Sequence, residues 1–203
     1  MASAPLVPVF DIGQVLLRWE PRRGLGRFLA GEAAIDRFMA ETDFTAWHGR
    51  QDAGRSVAEA VAEASRRFPH HAHILSGFYD HYADSLPGEV PGTRAIFEAL
   101  AARGPVYGLS NFSRELFDRI APSYPFLEAF TGLVLSADEG VNKPDPRIYA
   151  ALCARFGLAP ERLVFIDDIA ANVAAARAMG MAGIVFTDAA ALAAALRDHG
   201  LAW

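Results

Sequence analysis

Five short apolar runs, separated by helical stretches, limit what this chain can fold into. The clearest is Leu163-Val164-Phe165-Ile166, which stops abruptly at Asp167-Asp168. The others are Leu6-Val7-Pro8-Val9-Phe10 before Asp11, Val106-Tyr107-Gly108-Leu109 before Ser110-Asn111, Leu133-Val134-Leu135, and the run from Gly183 to Phe186. A continuous apolar run suits a strand buried on both faces. Helical patterns lie between them: Thr93 to Arg103, a helix opened by Asp145-Pro146 and running to about Phe156, one reaching Met179, and an Ala-rich last helix. Asp at the N-cap followed by Pro at the first helical position is a strong start signal. Strands alternating with helices of about 10–15 residues predict an α/β fold, a doubly wound parallel sheet covered on both faces.

One stretch breaks the alternation. From Leu17 to about residue 105 the texture is helical and no strand is predicted. Ser56-Val57-Ala58-Glu59 reads as a capping box for a helix that stops near Phe68-Pro69, and Leu86-Pro87-Gly88 and Pro91-Gly92 punctuate the far end. So long an insertion is not an ordinary loop, and it is expected to form a small all-helical cap domain. Residues 1–14 and 90–203 are then the α/β core, and 15–89 the insertion.

Composition narrows the function classes. With 203 residues, 52% apolar and 21% charged, the chain can fill one core and is not disordered. Acidic residues outnumber basic ones 24 to 19, the net charge is -5, and no basic run compensates, which argues against a nucleic-acid partner. No apolar stretch approaches the roughly 18 residues that span a bilayer. Met1-Ala2-Ser3-Ala4-Pro5 lacks the charged head and apolar middle of a signal peptide, so a cytoplasmic location without a membrane partner is expected. The single cysteine, Cys153, excludes an internal disulfide and a Cys-based zinc site, and is read as a small buried apolar residue. Nothing in the pattern speaks to oligomeric state.

Open parallel sheets bind ligands at the carboxyl ends of their strands. Here those ends carry Asp11, Ser110-Asn111 and Asp167-Asp168, and Lys143 sits in the loop Val141-Asn142-Lys143-Pro144-Asp145. Three carboxylates and one lysine leave about two uncompensated negative charges, a conflict that a divalent cation resolves. Hard oxygen ligands without His or Cys favour Mg2+. A carboxylate beside such a metal, with hydroxyl, amide and ammonium donors nearby, is suited to attack and hold a phosphoryl group. Asn172, one turn beyond Asp168, is placed to orient the acidic pair.

Phe10-Asp11-Ile12-Gly13, Leu109-Ser110-Asn111, Lys143-Pro144 and Ile166-Asp167-Asp168 resemble, in order, the four motifs of the haloacid dehalogenase superfamily. The separations from Asp11 to Ser110, Lys143 and Asp167 are successively 99, 33 and 24 residues, which resembles members with a cap after the first motif. The Asp-Ile-Gly start is similar to that of sugar-phosphate phosphatases, including glucose-1-phosphate types. The resemblance implies a Rossmann-like core and a Mg2+-dependent phosphatase that turns over a small phosphorylated metabolite through an aspartyl-phosphate. It further implies Asp11 as nucleophile, Ser110 and the backbone around Asn111 as the phosphoryl cradle, and Lys143 as the neutralising cation. The metal would take Asp11, Asp168, the Gly13 carbonyl and, through water, Asp167.

Gly13 departs from the pattern, because most phosphatases of this superfamily carry a second Asp there as general acid and base. Two other readings follow. The Lys143 to Tyr149 spacing also resembles 2-haloacid dehalogenases, although an adjacent acidic pair would repel a carboxylate substrate. A catalytically weak binding or regulatory protein would explain the missing acid. In the insertion, Trp47 and His48 are candidates for substrate contact, as are Arg18 and Trp19 just after the first strand. His70, His71 and His73 are read as solvated.

Overall fold

Successive residues of the central strands face opposite layers of the core, and both layers are buried and apolar. The structure is a computed structural model, and it describes residues 6–201; the signal-peptide reading of Met1–Pro5 lies outside them. On one side Val9, Leu109, Leu163 and Phe165 pack with Ile148, Tyr149 and Leu152. On the other Phe10, Val164 and Ile166 join a larger cluster with Ile96, Phe97, Leu192 and Leu196. This two-sided burial is why the strands read as continuous apolar runs.

The chain opens with β1 (Val7–Phe10), followed by β2 (Leu17–Arg18). Five helices come next: α1 (Pro21–Leu25), α2 (Glu32–Thr42), α3 (Phe44–Asp52), α4 (Val57–Arg67) and α5 (Ala72–Asp80). After β3 (Gly88–Glu89) run α6 (Thr93–Ala101), β4 (Tyr107–Ser110), α7 (Arg114–Ile120), β5 (Gly132–Leu135) and α8 (Ser136–Glu139). The chain closes with α9 (Pro146–Phe156), β6 (Leu163–Asp167), α10 (Ala170–Ala178), β7 (Ala182–Val185) and α11 (Ala189–Asp198). The five-stranded sheet has the order β5-β4-β1-β6-β7, and every pairing is parallel. The path leaves β1 to one side for β4 and β5, then crosses to the other for β6 and β7. The order reverses at β1 and β6, where open α/β sheets place ligands.

Local signals account for several boundaries. Ser56 and Glu59 form the reciprocal capping box of α4, with Glu59 N–H donating to Ser56 Oγ at 3.2 Å and Ser56 N–H to Glu59 Oε2 at 3.0 Å. Asp145 caps α9 by accepting from Arg147 N–H at 2.9 Å. Ser113 occupies the N-cap of α7 without a side-chain cap bond. Cys153 is half-buried against the smaller core cluster rather than fully enclosed.

One expectation is corrected. Strands do occur before residue 105: Leu17 pairs with Glu89 and Arg18 with Gly88 as an antiparallel ribbon that frames the five helices. Two-residue strands carry no periodicity, and Gly88 at φ +133° follows a proline, so the local sequence reads as a turn. The larger core cluster then runs on without interruption into the insertion through Phe38, Phe44, Trp47, Phe78 and Tyr79.

Candidate active site

Ser110 and Asp167 are the last residues of β4 and β6, and Asp11 follows β1 directly. Register brings them together. Phe10 lies beside Ile166 and Gly108, and Asp11 N–H donates to the Ile166 carbonyl at 2.9 Å. Lys143 arrives from the loop beyond α8, held by Asn111. Lys143 N–H donates to Asn111 Oδ1 at 2.7 Å, and Asn111 Nδ2 donates back to the Lys143 carbonyl at 3.1 Å. The Asn111 side chain is therefore engaged in placing Lys143.

Lys143 Nζ is buried at the centre of the cluster. It lies 2.7 Å from Asp167 Oδ2, 3.0 Å from Asp11 Oδ1 and 2.9 Å from the Leu109 carbonyl. Asp167 is fully enclosed and also accepts from Asn172 Nδ2, at 3.0 Å to each oxygen, and from Ile169 N–H at 2.8 Å. Tyr149 OH in turn holds the Asn172 carbonyl at 2.9 Å. Asp167 is thus a fixed post for the lysine. Asp11 differs. Its Oδ1 accepts from Ser110 Oγ at 2.7 Å and Ile12 N–H at 2.7 Å as well as from Lys143, so among the described residues Oδ2 is the unengaged oxygen.

Burial raises the Asp11 carboxyl to about 6, and the charge of Asp167 adds to this against the opposing pull of Lys143 and the Ser110 hydroxyl. Asp168 is half-buried and also raised, first by desolvation and then by Asp167. Asp11, Asp167 and Asp168 each offer a carboxylate oxygen within 4.8 Å of the others. A close set of oxygen donors, two of them pushed towards protonation and served by one lysine, fits a hard divalent cation.

The cluster forms the floor of a cavity of about 430 Å3, within the size range of small-molecule sites. One wall is α3, whose Thr45, His48, Gly49 and Asp52 line it. Their spacing of i, i+3, i+4 and i+7 is a single helical stripe. Two hydrogen bonds pin this stripe to the loops beyond β4 and β5: Ser113 N–H to Asp52 Oδ1 at 3.1 Å and Asn142 Nδ2 to the Gly49 carbonyl at 2.8 Å. Ser136 Oγ adds a third, to the Asp52 carbonyl at 2.5 Å. His48 is buried, its ring stacked on Trp19 at 5.1 Å and its Nε2 3.9 Å from Asp52 Oδ1. Burial lowers its pKa against the attraction of Asp52, and burial likewise raises Asp52.

A family model for haloacid dehalogenase-like hydrolases matches residues 25–180. The chain belongs to this family. The hydrolase is 27% identical over 199 residues to the sesquiterpene phosphatase astK of Aspergillus oryzae, covering 94% of each protein. Among solved structures it resembles a predicted HAD-like hydrolase from Porphyromonas gingivalis, with a TM-score of 0.73 and 25% identity over 96% of this chain and 99% of the other. A HAD family enzyme from Bacteroides thetaiotaomicron, solved as a magnesium complex, has a TM-score of 0.74 at 20% identity, covering 92% and 95% of the two chains.

The hydrolase gathers most of the residues that the sequence singles out. Asp11, Gly13, Asn111, Lys143, Asp168 and Asn172 line the cavity, with Ser110 and Asp167 bonded behind them. Trp19 and His48 line it too, whereas Trp47 and Arg18 do not. Trp47 is one position, about 100° of helix, away from the lining stripe. It is buried inside the insertion, with the Arg55 guanidinium 4.3 Å above its ring and Phe68 edge-on at 5.7 Å. Arg18 is exposed and reaches the Pro87 carbonyl at 3.4 Å and Glu20 at 3.8 Å. His71 pairs with Glu41 at 2.6 Å, and His70 and His73 are exposed. Sequence reasoning missed Asn142, Tyr82, Leu86 and Phe112 as lining residues, and gave Asp52 no role. Only Asp52 carried a usable signal, four positions after His48 on a helix. No helix of the described residues is long and apolar enough to cross a membrane.

Proposed function

We propose that the hydrolase is a Mg2+-dependent phosphomonoesterase acting on a small phosphorylated metabolite, with residues 15–89 as the cap over its site. The observation that carries this is Asp11 itself: three donors hold Oδ1, and Oδ2 remains to attack. Asp11 Oδ2 bonds to phosphorus as the bond to the leaving oxygen breaks, giving an aspartyl-phosphate. Water then attacks phosphorus, releasing inorganic phosphate and restoring the carboxylate. Ser110 and Lys143 orient Asp11 in the resting site, and Ser110, Lys143 and the backbone at Asn111 cradle the phosphoryl oxygens. Asp11, Asp168 and the Gly13 carbonyl would hold the cation, with Asp167 beside them. When bound, Mg2+ supplies positive charge to the phosphoryl oxygens and relieves repulsion between them and Asp11.

Asp167, itself held by Asn172, keeps Lys143 in place. Gly13 offers no acid, and buried His48 favours its neutral form, so the leaving oxygen departs with little proton assistance. The name of the sesquiterpene phosphatase relative supports the phosphatase reading, and sugar phosphates belong in the first substrate panel because of the Asp11-Ile12-Gly13 start.

Asp11→Asn tests the reading. The amide keeps the size and an acceptor oxygen but cannot attack phosphorus, so turnover of p-nitrophenyl phosphate is expected to fall below about 1% of the unmodified protein while the melting temperature is retained. Residual activity well above that level, with contamination excluded, removes Asp11 as nucleophile.

A further inference from the structure

The cavity above the carboxylate cluster has an unusual lining for a site serving polar metabolites. Leu17, Trp19, Tyr82, Leu86, Phe112 and Ile169 supply its apolar surface. Ile169 immediately follows Asp168 and is 52% exposed, although most large apolar side chains of the described residues are buried. An isolated exposed isoleucine needs no explanation, but one at the rim of an apolar cavity extends that surface outward.

The polar lining residues are largely occupied by the protein. Gln14 spends its amide on both backbone groups of Trp19, donating to the carbonyl at 3.1 Å and accepting from N–H at 3.2 Å. Asn111 clamps Lys143, and Asn172 holds Asp167. Asp52 Oδ1 is taken by Ser113 N–H. Of the buried lining atoms, Trp19 Nε1, Asn142 Oδ1 and His48 Nδ1 remain without partners. That is a small set to meet a ring of sugar hydroxyls, each of which loses hydrogen bonds to water on entry. Charge is equally sparse. Lys143 is the sole Lys or Arg among the described lining residues, and it is committed to Asp11 and Asp167. A second phosphate or a carboxylate on the substrate would find no free cation.

We propose that the preferred substrate is the monophosphate ester of an uncharged, predominantly apolar alcohol, whose hydrocarbon part packs against the apolar lining residues of the cavity, Ile169 at its rim among them. This rests on the phosphatase reading and specifies its leaving group. Fixed polar groups act at the phosphoryl end, and apolar burial selects the other end.

A series of 4-n-alkylphenyl phosphates tests it, because the leaving-group acidity stays nearly constant while the apolar surface grows. Phenyl phosphate, p-nitrophenyl phosphate, glucose 1-phosphate and phosphoglycolate serve as references, all with Mg2+ present. The expected result is a rise in kcat/KM of up to about fourfold per methylene until the cavity is filled, the equivalent of about 0.8 kcal/mol per buried CH2. Glucose 1-phosphate and phosphoglycolate should fall below phenyl phosphate. Ile169→Asn, at a half-exposed position where folding is little affected, should reduce the slope. Turnover of p-nitrophenyl phosphate with a flat alkyl series, with glucose 1-phosphate or phosphoglycolate preferred, or with a slope that Ile169→Asn leaves unaltered overturns the proposal alone. No turnover of any ester overturns the phosphatase reading and the proposal with it.

Discussion

Gly13 is where the site departs from the pattern that its other residues follow, and nothing in the backbone requires the departure. Its φ is outside the left-handed region, and a Cβ placed there meets nothing within 4 Å. A positioned general acid is worth about 10²–10⁴ in rate. Without one, the dependence of the chemical step on leaving-group pKa should be steep, with aryl, acyl and anomeric phosphates favoured over esters of simple primary alcohols. Gly13→Asp should flatten that dependence and raise turnover of a primary alkyl phosphate by about tenfold or more. A flat dependence in the unmodified protein, with phosphoryl transfer rate-limiting, would show that another residue already supplies the proton, and His48→Ala would then be the variant to make. At this scale the floor of the site was legible because a polar residue that ends an apolar strand is a local pattern: Asp11, Ser110 and Asp167 all obey it. Asn142 and Tyr82 obey no such pattern. They become lining residues only when the insertion packs on the core, as the Asn142–Gly49 hydrogen bond does across 93 positions.

Among the elements, α3 forms one wall of the cavity, and its helical geometry separates two neighbours that look equivalent in sequence. Trp47 faces the interior of the insertion, so Trp47→Ala should cost about 3–5 kcal/mol in urea unfolding while changing kcat/KM of the folded protein by less than about threefold. A large loss of kcat/KM with stability retained would place Trp47 in the site after all. His48 faces the cavity, and its burial holds the imidazole below its ordinary pKa of 6.5. The neutral form is therefore favoured by folding. That contribution is complete above pH 6.5 and is lost as the pH falls below it, because the unfolded chain takes up the proton first. Urea stability should drop more between pH 7.5 and 5.5 in the unmodified protein than in His48→Phe; equal drops would contradict the burial argument. The sequence-level reading found the main helices and the five sheet strands from caps and apolar runs, but it missed β2 and β3. Their pairing is set by tertiary closure of the insertion, and residues such as Gly88 and Glu89 have no strand preference of their own.

For the molecule as a whole, the sheet order makes the chemistry: a reversal at β1 and β6 sets Asp11 beside Asp167 and Asp168, and the loop beyond β5 inserts a single lysine between two of them. The alternation of strands and helices made this architecture readable, since parallel crossovers leave few arrangements of five such strands. The course of residues 15–89 was less readable, because their core is shared with one face of the sheet and has no separate sequence signature. An acidic cluster with one lysine should gain from a counter-charge, so Mg2+ is expected to raise the melting temperature by mass action on the folded state, and Asp168→Ala to lose most of that rise. The most direct test of the account is a paired assay on one preparation: inorganic phosphate from p-nitrophenyl phosphate and chloride from 2-chloropropionate, each after exhaustive chelation and again after Mg2+ is returned. Phosphate release that disappears on chelation and returns with Mg2+, with no chloride in either state, is the predicted result; phosphate release indifferent to chelation, or chloride release without metal, would contradict it.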